Sequence, residues 1–131
     1  MRYIPPFTFL RQRFRVAGGN GKRRIDMKYE DFIELLKLML RAVAVDEEWY
    51  CNQYPDVADA IKAGTYRSAK HHFVEDGYFE GRWPYEIGLD ETWYKSQYPD
   101  VVAGLKSGTL ATLKEHFREH GYKEGRLPAE Y

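Results

Sequence analysis

The chain's 131 residues suit one compact domain or two very small ones, and 44% apolar residues with 16% aromatics exclude a disordered polypeptide. Twenty basic and twenty acidic side chains cancel, which excludes a uniformly cationic or anionic protein. A single cysteine, Cys51, excludes an intrachain disulfide and points to a reducing compartment.

The even charge count hides an uneven distribution. Residues 1–24 hold Arg2, Arg11, Arg13, Arg15, Lys22, Arg23 and Arg24 and no acid, leaving 13 basic against 20 acidic groups in the rest. The opening "MRYIPPFTFLRQRFR" is a poor secretory leader: its apolar run is short, broken by Pro5 and Pro6, and followed by arginines instead of a small-residue cleavage site. Residues 1–25 are therefore expected to form a basic arm of the mature chain. Arg11, Arg13, Arg15, Arg23 and Arg24, interleaved with Phe14, suit either the phosphates and bases of a nucleic acid or an acidic protein surface. "AGGNGKRR" has neither the glycine spacing nor the Ser or Thr of a phosphate-binding loop, so it reads as a turn.

Residues 26–45 are expected to form one amphipathic helix capped by Asp26. Tyr29, Phe32, Ile33, Leu36, Met39, Leu40 and Val43 fall on one apolar stripe, and Glu30, Glu34, Lys37 and Arg41 on a narrow polar one. Leu35 and Leu38 add a second apolar side. The charges argue against a membrane span. A helix this apolar needs cover on more than one side, from the rest of the chain or from a second copy. The reading adopted is self-association, with Phe32, Leu35, Leu36, Leu38 and Met39 as the oligomer interface.

"WYCNQYPDV" at Trp49 and "WYKSQYPDV" at Trp93 open two copies of a longer pattern. A shift of 44 aligns 46–87 with 90–131 without a gap, and 23 of the 42 pairs are identical. The identities fall on large aromatics and turn-formers, the mark of a repeated supersecondary unit. Repeats are expected at 46–88 and 89–131. In each, Asp46 or Asp90 caps a first helix, and Pro55 or Pro99 starts a second. Gly64 or Gly108 closes that helix in the left-handed region. Ser68 or Thr112 then caps a third, with Thr112 and Glu115 in a capping-box pattern. Its inner face carries Ala69, His72 and Phe73, or Leu113, His116 and Phe117, and Gly77 or Gly121 ends it. Nothing alternates with period two for long enough to make a sheet, so the expected class is all-α. Cys51 faces Lys95 across the alignment, which suggests an exposed, idle thiol.

Trp49, Tyr50 and Tyr54 at helical spacing are best read as the interior of a unit too small for a leucine core. A ligand reading assigns Tyr50, Asp56, Tyr94 and Asp100 to a carbohydrate platform. His72 and His116 read as satisfied core histidines, bonded to Asp56 and Asp100. His116 and His120 have metal-compatible spacing, but copy one has Asp76 in place of the second histidine, so no metal is expected. No nucleophile lies beside a base at a repeated position, so neither a catalytic residue nor a cofactor is expected.

The pattern D-E-x-W-Y-x-x-Q-Y-P-D-V, then G-T, H-F and G-Y-x-E-G-R-x-P, resembles a short helical repeat of bacterial proteins. That repeat occurs, often in tandem, beside glycosyltransferases and other surface-polysaccharide proteins. The resemblance covers 45–131 and implies a non-catalytic accessory module, with a transferase-associated partner by association alone. The expectation is thus a bacterial, cytoplasmic binding or scaffolding subunit that self-associates. Nucleic-acid binding through the arm and carbohydrate binding through the aromatic phrase are the alternatives.

Overall fold

The computed structural model describes residues 12–13 and 25–130. The described residues are helical, with no strand among them. The basic-arm positions Arg11, Arg15, Arg23 and Arg24 lie outside them. The chain divides into two compact units, with the boundary between Tyr85 and Glu86.

The first unit contains α1 (Tyr29–Leu40), α2 (Glu47–Gln53), α3 (Pro55–Lys62) and α4 (Ala69–His72), the last running straight into a π-turn, π1 (Phe73–Gly77). Asp46 accepts from the Trp49 amide at 2.9 Å, satisfying a donor that the first turn of α2 leaves unpaired. Pro55 sits in the first turn of α3, where its missing N–H costs nothing. Gly64 at φ +80° takes the left-handed bend beyond it, and the Thr65 amide reaches back to the Ala60 carbonyl. Ser68 caps α4 through the His71 amide. The Glu47 carboxylate accepts from the Ala69 and Lys70 amides, so two more donors of that short helix are satisfied from within the unit.

Bonds of i to i+5 widen the third helix into π1, with the Tyr78 amide on the Phe73 carbonyl. Phe73, Val74 and Gly77 are all buried there. Gly77 does more than end the helix. A Cβ at Gly77 would collide with the Tyr50 hydroxyl, so the residue is glycine because a tyrosine occupies the space of its side chain.

α1 is shorter than the expected 26–45 helix. Its N-cap is Lys28 with no side-chain cap bond, and Asp26 lies outside it. At the other end the Ala42 and Val43 amides tighten onto Met39 and Leu40, after which the chain leaves the helix to reach the Asp46 cap. Asp46 is pinned by its amide, which donates to the Pro84 carbonyl at 3.0 Å. The apolar stripe of α1 is also split. Leu40 joins the buried cluster of Tyr50, Val57, Ala69, Phe73 and Val74, with Val43 packed against it. Tyr29, Phe32 and Met39 stay open, at 72%, 44% and 48% exposure. Lys37, expected on the solvent stripe, instead bonds Glu75 of π1 at 2.6 Å. Cys51 is half-buried against the same cluster instead of exposed, and its thiol is free.

The second unit contains α5 (Glu91–Gln97), α6 (Pro99–Ser107), α7 (Leu113–His116) and π2 (Phe117–Gly121). Its caps fall 44 residues beyond those of the first: Asp90 accepts from Trp93, Thr112 from Glu115, and the Asp90 amide donates to Pro128. Gly108 is the left-handed C-cap of α6. A Cβ at Gly121 would strike the Tyr94 hydroxyl, as at Gly77.

Candidate functional site

Each unit is organised around one tyrosine–histidine pair. Tyr50 and Tyr94 are fully buried, and their hydroxyls lie 2.9 and 3.1 Å from Nδ1 of His72 and His116. The four partners come from the first helix and the end of the third, 22 residues apart. Around them Tyr54 and Phe73 in one unit, and Tyr98 and Phe117 in the other, meet the central tyrosine edge to face or tilted. Burial pushes both central phenols above the ordinary tyrosine value and both histidines below theirs, with Arg82 and Arg126 adding to the second effect. The histidines are therefore neutral at pH 7. His72 Nε2 faces the Glu80 carboxylate at 3.9 Å, so the ring proton belongs there and Tyr50 donates to Nδ1. The expected bonds from these histidines to Asp56 and Asp100 are replaced by bonds to tyrosine, because both carboxylates face outward and are already taken.

What takes them is a second repeated device. Arg82 forks onto Asp56 at 3.0 and 2.7 Å and touches Glu80 through Nε, while its guanidinium lies 4.9 Å from the Tyr54 ring centre. Arg126 does the same with Asp100, Glu124 and Tyr98. These bonds hold both aspartates below the ordinary carboxylate range. The amide after each arginine, Trp83 or Leu127, donates to the Tyr54 or Tyr98 hydroxyl at 2.9 Å. The closing segment of each unit is thus fastened to its second helix.

The carbohydrate platform of Tyr50, Asp56, Tyr94 and Asp100 does not form as a surface. Both rings are sealed at 0% exposure with their hydroxyls spent on histidine, and both carboxylates are forked by arginine. Among the described residues no cluster of three or more His, Cys, Asp or Glu could hold a metal. His116 and His120 lie with ring centres 5.8 Å apart.

Tyr78, Phe79 and Tyr85 are exposed, at 39%, 41% and 44%, and two further features face outward. The first is α1, where Phe32 and Met39 are exposed and Leu35, Leu36 and Leu38 are half-buried. Ile25, ahead of the helix, is exposed at 56%. The second is Arg13, the one residue of the expected arm contacts that is described, which pairs with Glu34 and Asp31 of α1. No helix among the described residues is long and apolar enough to cross a membrane. Sequence reasoning missed the Arg82–Asp56 and Arg126–Asp100 clamps, although all four residues recur at the 44-residue offset, which was the available signal. No protein-family model matches the chain, and neither a curated protein nor a solved structure matches it.

Proposed function

We propose that the chain is a non-catalytic binding or scaffolding subunit: two copies of one helical cassette carried behind a leader helix, α1, through which copies of the chain associate. The observation that carries this reading is the contrast between spent and unspent apolar surface. The central repeated rings, Tyr50 and Phe73 with Tyr94 and Phe117, are used up inside the units, whereas Tyr29, Phe32 and Met39 lie at spacings of three and seven, one face of α1, and stay exposed. Exposed apolar residues gathered on one helix face mark an interaction surface. The resemblance of 45–131 to a repeat beside polysaccharide enzymes supports a place in bacterial, cytoplasmic polysaccharide assembly, with a second protein of that process as partner.

Nucleic-acid binding is the weaker reading, since Arg13 is engaged with Asp31 and Glu34. Carbohydrate binding through the aromatic phrase is weaker still, since its rings are buried.

Size-exclusion chromatography with light scattering on the full chain tests the proposal. The expected mass is that of a dimer or larger, falling to a monomer in a Phe32→Asp, Met39→Asp double variant with unchanged helical circular dichroism. A monomeric parent at high concentration, or an oligomer indifferent to the two aspartates, would refute it.

A further inference from the structure

The two units carry the same hollow with different chemistry in it. In the first unit, a cavity of about 460 Å³ is lined by Arg41, Arg67, Ser68, Lys70, His71, Val74 and Glu75. In the second, a cavity of about 460 Å³ is lined by Thr112, Lys114, Glu115, Arg118 and Glu119, the counterparts of residues 68, 70, 71, 74 and 75. That volume lies in the range of small-molecule sites, about 300–1,000 Å³. The shared fold supplies the cavity, so its lining is free to differ.

The difference is one of charge and of hydrogen-bond polarity. The second hollow sets Lys114 and Arg118 against Glu115 and Glu119 and is balanced. The first gathers Arg41, Arg67 and Lys70 against Glu75, whose carboxylate is already bonded to Lys37 at 2.6 Å. Arg41 and Arg67 are exposed and have no ion-pair partner among the described residues. His71 Nδ1 accepts from the Arg67 amide at 3.1 Å, which puts the proton of a neutral ring on Nε2. Ser68 Oγ accepts from the His71 amide at 3.0 Å, so its own hydrogen is unspent. Lys70 gives one hydrogen to the Val43 carbonyl and keeps two. Every polar side chain lining the hollow except Glu75 therefore has a donor to offer. In the second unit the counterpart of His71 is Glu115, an acceptor, and the counterpart of Arg67 is Ala111.

We propose that the hollow of the first unit binds the phosphate group of a small soluble ligand, held by the Arg41 and Arg67 guanidiniums with Ser68, Lys70 and His71 completing the shell. Two guanidiniums match phosphate oxygens in pairs, which a compact ammonium does not. The site is independent of the α1 interface proposed above and stands if that interface fails.

Titration calorimetry on the full chain with inorganic phosphate and with pyrophosphate tests it. Both bind, pyrophosphate more tightly, and the Arg41→Ala, Arg67→Ala double variant loses at least about tenfold in affinity. Arg118→Ala, in the balanced hollow, leaves binding unchanged. Both arginines are exposed and unpaired among the described residues, so the double variant keeps its helical circular dichroism. No heat with either phosphate, or binding that survives the double variant, would overturn the assignment. So would equal binding of citrate, which lacks phosphate, or binding only to vesicles of anionic phospholipid, which presents the group on a lipid.

Discussion

The segments 46–85 and 90–129 share one central set of contacts and differ around it. Within each, the tyrosine–histidine pair, the arginine fork and the amide-to-tyrosine bond recur at an offset of 44 with nearly equal distances. Elsewhere the residues change in linked sets. In the first unit Tyr66 bonds Asp76 at 2.6 Å and meets His72 edge-on. In the second, Leu110 replaces Tyr66 and lies where a Cβ on Gly104 would be, while His120 replaces Asp76 and lies near His116. Val74, buried in the cluster that includes Leu40 of α1, is replaced by exposed Arg118. A closely packed interior admits one arrangement, whereas a surface position needs only to suit whatever covers it. The exchange of valine for arginine accordingly marks the face that receives a helix in one unit and meets water in the other.

Exchanging those two residues should break the symmetry of their effects. Val74→Arg forces a guanidinium into a buried cluster and should destabilise the first unit by about 2–4 kcal/mol, seen as a lower urea midpoint. Arg118→Val, at an exposed site, should stay within about 0.5 kcal/mol of the parent. Equal costs would mean that the two faces are alike.

A smaller effect should follow pH. The folded pKa values of His72 and His116 are lowered, so their contribution to stability is complete above the unfolded histidine value, about 6.5, and is lost as pH falls from there through the lowered folded values. Tyr50 and Tyr94 are raised, so theirs is complete below about 10 and is lost as pH rises past it. Stability should form a plateau between these limits, narrowing at its acid edge first. Urea midpoints that are flat from about pH 7 down to 5 would contradict neutral buried histidines.

Much of this architecture was legible because its signals are local. Asp46, Pro55, Gly64 and Ser68 each act within a few residues, and each sits where capping and turn chemistry puts it. The inner faces of the third helices, Ala69, His72 and Phe73 with Leu113, His116 and Phe117, also follow from helical spacing. The π-turns were not legible, because an i to i+5 bond leaves the inner residues close to where an ordinary helix would place them. The partners of His72 and Asp56 lie 22 and 26 residues away in sequence, beyond the reach of periodicity. The stripe of α1 marked an apolar face without saying which part Leu40 would bury and which part Phe32 would leave open.

Amide hydrogen exchange read residue by residue tests the shared interior most directly. The amides of Tyr50, Tyr54, Tyr78 and Arg82 should be slow, and those of Tyr94, Tyr98, Tyr122 and Arg126 should be slow in the same pattern, since each donates to a matching carbonyl. Slow exchange in one set with fast exchange in the other would contradict two cassettes built alike.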